Sequence, residues 1–176
     1  MKKNFYLTLL LFLSFNIYSQ TSADLYNKGT RLAKKENYEK AKRLFSRAIE
    51  LNEYFTEAYY NRALAKSKLK EYQSAIEDYT KAIELKPNFP IAYNNRGADR
   101  NELEDYVGAI ADYTKAIELK PDYCRAYYNR GIALFNQKEY EKAILDFNKA
   151  IELDPGFEDS IRNRDVAKKR MRDKNP

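Results

Sequence analysis

The sequence predicts an all-α fold: an α-solenoid of four tandem 34-residue helix-turn-helix repeats closed by a C-terminal capping helix. Two observations carry that prediction. The octapeptide TKAIELKP occurs at Thr80–Pro87 and again 34 residues on at Thr114–Pro121, with SRAIELNE at Ser46–Glu53 and NKAIELDP at Asn148–Pro155 one period to either side. Small and aromatic residues also recur in fixed columns at the same spacing. Self-similarity of this kind means one supersecondary unit copied and stacked, because each copy can bury its apolar face only against its neighbours.

The units run 22–55, 56–89, 90–123 and 124–157. Position 8 of each is small (Gly29, Ala63, Gly97, Gly131), and positions 20 and 27 are always alanine (Ala41, Ala75, Ala109, Ala143; Ala48, Ala82, Ala116, Ala150). Position 24 is a phenyl-type ring (Phe45, Tyr79, Tyr113, Phe147), and position 28 is isoleucine (Ile49, Ile83, Ile117, Ile151). Positions 20, 24, 27 and 28 share one face of a 3.6-residue helix, and positions 4, 7, 8 and 11 do the same in the first half. Small residues let the two helices approach closely while the ring fills the remaining space. Pro87, Pro121 and Pro155 then stop the second helix.

These columns resemble the tetratricopeptide repeat, whose pattern is small at 8, alanine at 20, aromatic at 24, alanine at 27 and proline at 32. The resemblance covers Ser22 to Phe157. Three departures stand out. Glu53 replaces the first proline and predicts a looser junction. Position 15, often glycine in the family, is Glu36, Lys70, Glu104 and Lys138; a left-handed backbone there would cost roughly 1 kcal/mol per residue. Position 11, usually bulky and apolar, is Lys66 and Arg100 in the middle units, which are expected to pack their stems and send their charges to water.

Composition narrows the function. With no His and a single Cys, the chain can assemble neither a His/Cys metal centre nor a Ser–His or Cys–His catalytic pair. No catalytic residue, metal or cofactor is expected, and Cys124 reads as a small packing residue at a junction. At the N-terminus, Lys2 and Lys3 precede an apolar run from Phe5 to Ile17, the pattern of a secretory signal over residues 1–19 rather than a membrane anchor. Cleavage after Ser19 is expected, giving an exported protein, periplasmic or secreted.

After Pro155–Gly156, residues 158–176 read as a basic capping helix and tail. Ile161, Asp165 and Lys168 fall at positions 4, 8 and 11 of a would-be fifth unit, and Ile161 with Val166 is expected to cover the fourth unit. From Ile161 to Pro176, seven basic residues face two acidic ones. That net +5 and the two leader lysines leave the stretch between at −1 of the chain's total +6. Such a tail suits weak contact with an anionic membrane surface or an acidic partner, or simply a solvated cap. Nucleic acid is disfavoured, since exported proteins seldom meet it.

The resemblance implies a concave groove lined by positions 2, 5, 6, 9, 12 and 13 of the first helices, and a protein or peptide partner docked in it. Position 6 is asparagine throughout (Asn27, Asn61, Asn95, Asn129). Those amides could grip an extended peptide backbone, or could belong to the fold by satisfying local backbone groups. Position 5 supplies Tyr26, Tyr60, Asn94 and Tyr128, and rings with polar tips suit binding surfaces. Glu57, Arg125, Lys68 and Glu102 are the expected sources of discrimination. Family members that hold a chaperone's terminal carboxylate use Lys at position 5 and basic residues at 2 and 6. Tyr26, Thr30, Asn61, Ile91 and Asn95 occupy those places in one frame, and Tyr60, Leu64, Asn95, Arg125 and Asn129 in the other, so that carboxylate clamp is absent.

One further pattern is structural. Arg62, Arg96 and Arg130 occupy position 7 and Asp78, Asp112 and Asp146 position 23, with Arg164 continuing the arginine column. A guanidinium between the Asp of adjacent units would stitch the stack together, although sequence leaves open whether pairs form within or between units.

Overall fold

The structure, a computed structural model, describes residues 21–174; the segment read as a secretory signal lies outside them. The described residues form nine helices: α1 (Ser22–Ala33), α2 (Tyr38–Leu51), α3 (Thr56–Lys68), α4 (Tyr72–Leu85), α5 (Pro90–Glu102), α6 (Tyr106–Leu119), α7 (Cys124–Asn136), α8 (Tyr140–Leu153) and α9 (Glu158–Lys174). In every 34-residue unit the first helix starts at position 1 and the second spans positions 17 to 30. The second helix of the first unit, without its proline, still ends in the same column at Leu51, and the Asn52 side chain accepts the Tyr54 N–H at 3.1 Å.

The turns between paired helices explain position 15. Glu36, Lys70, Glu104 and Lys138 have φ of 58°, 62°, 61° and 63°, so the left-handed residue of a Schellman motif is kept without glycine. Its hydrogen bonds recur in each unit: in the second, Lys70 N–H donates to Ser67 C=O at 2.9 Å and Glu71 N–H to Lys66 C=O at 2.9 Å. Each such residue keeps a strain that glycine would relieve.

The alanines at positions 20 and 27 are all fully buried, as are or nearly are the rings at position 24. Close approach is why position 8 is small: a Cβ on Gly29, Gly97 or Gly131 would stand 2.7, 2.9 or 2.7 Å from a ring carbon of Phe45, Tyr113 or Phe147. Consecutive first helices (α1, α3, α5, α7, α9) touch one another, whereas each second helix packs on its own partner and the next first helix but not on another second helix. The layer of first helices is therefore the tighter arc and forms the concave side.

Arginine–aspartate pairing falls within units. Arg62 Nε and Nη2 donate to Asp78 Oδ2 and Oδ1 at 2.7 and 2.6 Å, Arg96 to Asp112 at 2.9 and 2.6 Å, and Arg130 to Asp146 at 2.7 and 2.8 Å. The stitch to the preceding unit uses a hydroxyl instead of a second carboxylate: Nη1 donates to Ser46, Thr80 and Thr114 at 3.1, 2.9 and 3.0 Å. Arg164 has no second helix to supply an aspartate and pairs with Asp165 beside it.

The expectation for position 11 is corrected. Lys66 and Arg100 do not send their charges to water; Lys66 Nζ lies 2.8 Å from Asp78 and Arg100 Nη1 2.9 Å from Asp112, and each also donates to a backbone carbonyl of the following helix, of Ser74 and Gly108. A buried carboxylate with lone pairs to spare holds a second cation more strongly than surface water does.

The cap is also corrected. α9 packs on α8 and α7, but the residues it buries completely are Ser160 and Ala167. Ile161 is only partly buried and Val166 is 47% exposed. Asp165 takes the place of the small residue at position 8, so the outer face of α9 cannot receive another closely packed helix.

Candidate binding groove

A ladder of hydrogen bonds runs along the concave layer. Asn61 Nδ2 donates to the Tyr26 hydroxyl at 2.8 Å, Asn95 Nδ2 to Tyr60 at 3.0 Å, Asn129 Nδ2 to Asn94 Oδ1 at 3.0 Å, and Asn163 Nδ2 to Tyr128 at 3.1 Å. Each rung joins position 6 of one unit to position 5 of the unit before it. The amides therefore belong largely to the fold, and the group they satisfy is a neighbouring side chain, not local backbone. Among the described residues no unit precedes Asn27, which is exposed. Asn163 in α9, one period beyond Asn129, was legible by extending the column into the cap.

Each tyrosine at position 5 is wedged between two rings. Tyr26 lies 5.8 Å from Phe45 and 4.9 Å from Phe55, Tyr60 lies 5.8 Å from Tyr79 and 4.9 Å from Phe89, and Tyr128 lies 6.0 Å from Phe147 and 4.8 Å from Phe157. Tilted pairs at these separations fix ring orientation. Burial, with Tyr123 nearby, pushes the Tyr60 hydroxyl up to about 12, and burial likewise raises Tyr128, so both stay neutral hydrogen-bonding groups. Unit 3 breaks the series. Asn94 is buried, takes the Asn129 bond and donates to Asn95 Oδ1 at 3.2 Å, so it lies beneath the groove surface.

The charged residues expected to discriminate, Glu57, Lys68, Glu102 and Arg125, are all exposed. They are spread along the layer and form no common cluster; Glu102 takes a weak bond from the Tyr72 hydroxyl at 3.4 Å. Sequence reasoning passed over Asp99, a buried carboxylate at position 10 hydrogen-bonded by the Ser67 hydroxyl. Its only signal was a column mismatch, since the same position is Ala65 and Ala133 in the flanking units. Among the described residues no three His, Cys, Asp or Glu side chains are grouped as a metal ion would require.

Models of the tetratricopeptide repeat match residues 25–55, 56–89 and 124–157, and a TPR repeat model matches residues 100–138. The chain is a tetratricopeptide repeat protein. Solved TPR structures share its fold. The crystal structure of MamA protein has a TM-score of 0.82 at 22% identity, covering 86% of this chain and 83% of that one. YrrB, described as a TPR protein with an unusual peptide-binding site, has a TM-score of 0.75 at 22% identity, covering 88% and 79%. The first TPR of Spaghetti (RPAP3), bound to the HSP90 peptide SRMEEVD, has a TM-score of 0.65 at 25% identity, covering 66% of this chain and 92% of that one. No curated protein is significantly similar in sequence to this TPR chain.

Proposed function

We propose that this TPR protein is a non-enzymatic scaffold that docks an extended peptide or protein segment along its concave face. The observation that carries the reading is the row of half-buried tyrosines Tyr26, Tyr60 and Tyr128, interrupted by Asn94 in the third unit and held rigid by flanking rings and cross-unit amides along one continuous layer. Rigid amphipathic rings offer contact area at low entropic cost. Peptide binding by the YrrB and RPAP3 domains supports the class of ligand. Changing Asn61, Asn95 or Asn129 would disturb the stack itself, so the useful variants are exposed ones. Glu57→Ala, Lys68→Ala, Glu102→Ala and Arg125→Ala combined should lower recovery of partners from an exported fraction while leaving the helical circular dichroism spectrum unchanged. Unchanged recovery would move binding off this face. Export itself is tested by cell fractionation and by sequencing the mature N-terminus, where Gln20 is expected.

One observation favours a second reading, envelope or membrane-surface association through the tail. Lys168, Lys169, Arg170 and Arg172 are exposed on α9 and take part in none of the ion pairs among the described residues. Anionic liposomes should then sediment the protein at low salt and release it at high salt. Equal sedimentation after Lys168, Lys169, Arg170 and Arg172 are changed to Gln would reject this role.

A further inference from the structure

Four carboxylates are buried in the stack, and they are not equivalent. Asp78, Asp112 and Asp146 each receive a two-pronged guanidinium. Asp99 is just as buried, 4% exposed, yet among the described residues no lysine or arginine lies within 4.0 Å of it. Its single hydrogen bond comes from the Ser67 hydroxyl to Oδ2. The other oxygen, Oδ1, receives none among the described residues and is not fully enclosed.

The groups that act on the Asp99 carboxylate are neutral or acidic. Ser67 comes from α3, the Tyr79 and Tyr72 hydroxyls from α4 and the Tyr113 ring from α6; Glu102, exposed, follows one turn later on α5. Burial lifts the Asp99 carboxyl to about 6, with Glu102 adding to the rise and Ser67 opposing it, so it is mostly ionised at neutral pH. Nothing in the repeat demands this, because alanine serves at the same position in the units on either side. A buried carboxylate destabilises the fold unless a cation offsets it. Here the stack supplies none, and Ser67 and Glu102, which flank it, occupy groove-lining positions 12 and 13.

We propose that Asp99 and Glu102 form a seat for a lysine or arginine side chain of the docked segment, with Ser67 fixing the carboxylate and the Tyr72 hydroxyl steadying Glu102. This rests on the concave-face reading above and adds the partner's chemistry: a segment with a cationic side chain directed at the boundary between the second and third units. It is the opposite charge to that recognised by a carboxylate clamp.

The test is selection of random 12-residue peptides, displayed on phage, against the purified full chain at neutral pH. Lysine or arginine should be enriched at one register of the selected peptides. A selected peptide should bind Asp99→Asn about tenfold or more weakly by fluorescence anisotropy, since a lost charge partner at a desolvated site acts at that scale. Replacing the peptide's cation with glutamine should cost the same and add little further loss in Asp99→Asn. The asparagine still accepts from Ser67, so the fold is expected to persist, and the exposed Glu102→Gln gives a second, smaller loss. Selected peptides without basic enrichment, or equal affinity for Asp99→Asn, would overturn the seat; if their binding still fell in the combined Glu57→Ala, Lys68→Ala and Arg125→Ala variant, whose three residues are exposed, the groove reading would stand. Binding insensitive to that variant as well as to Asp99→Asn, or no selection at all, would overturn both.

Discussion

Lys70 and its three equivalents show what single residues contribute to this stack. Each holds a left-handed turn, at φ 62° for Lys70, that glycine would hold without steric cost. Lys70→Gly should therefore stabilise the chain by about 0.5–1 kcal/mol in urea unfolding, partly offset by the freer unfolded chain; a loss of stability would mean the lysine makes compensating contacts. Asp99 is the opposite case, a residue that weakens the fold it sits in. Its folded carboxyl holds a proton to about 6 against 3.8 for a free aspartate side chain, chiefly through burial. The folded state thus binds the proton more tightly, and the stability this gives is fully present below about pH 4 and lost as pH rises through about 6. Asp99→Asn should then exceed the parent in stability by on the order of 1–3 kcal/mol at pH 7, with the gap closing below pH 4. A gap independent of pH would show that the carboxyl finds a counter-charge in the folded chain.

Between residues and the whole stands the helix pair with the bond that ties it to its neighbour. Asp112 accepts from Arg96 at 2.9 and 2.6 Å and from Arg100 at 2.9 Å, so truncating it abandons two guanidiniums at once. Asp112→Ala should cost about 3–5 kcal/mol. Thr80→Val, which removes the rung from Arg96 to the preceding unit together with the hydroxyl's own bond to the Ile76 carbonyl, should cost about 1 kcal/mol. Comparable losses from the two would place the main stabilisation between units instead of within them. At this scale the sequence was most legible where a column repeats. The alanines, rings and prolines gave the helix pairs and their boundaries, because packing demands the same volume at the same place in each copy. Direction was not legible. The columns located Lys66 and Arg100 but not that their tips turn inward, and they aligned Arg62 with Asp78 without revealing the third partner, Ser46. The hydroxyls of Ser46, Thr80 and Thr114 were a visible column, but a hydroxyl on a helix has many local uses, so its partner emerges only once two helices are placed. Asn61, Asn95 and Asn129 also form a visible column and were left between two roles for the same reason. Asp99 repeats in no column, which is why periodicity passed over it.

For the whole molecule, every unit touches only its neighbours, so stability is approximately a sum of unit terms and interface terms, and the ends decide how far fraying spreads. The two ends differ. Among the described residues α1 is covered on one side only, but it carries a capping box, with Thr21 Oγ1 accepting from Asp24 N–H at 3.1 Å and Asp24 Oδ2 from Thr21 N–H at 3.1 Å. The other end is closed by α9, which buries Ala167 and Ser160 completely and extends the ladder through Asn163 to Tyr128. Ending the chain after Phe157 would strip that cover from α7 and α8, exposing the apolar cluster around Leu134, Ala143 and Phe147 that Ala167 completes. Amide hydrogen exchange of the truncated chain should then show the largest loss of protection in α7 and α8, a smaller loss in α5 and α6, and little change in α1 and α2. That gradient is what nearest-neighbour coupling requires, since each interface passes on only part of the destabilisation it receives. An equal loss in all eight remaining helices would instead mean that the stack opens as one cooperative unit. A groove built across its interfaces would then form or disappear as a whole, and Tyr26 would feel the loss of the cap as strongly as Tyr128.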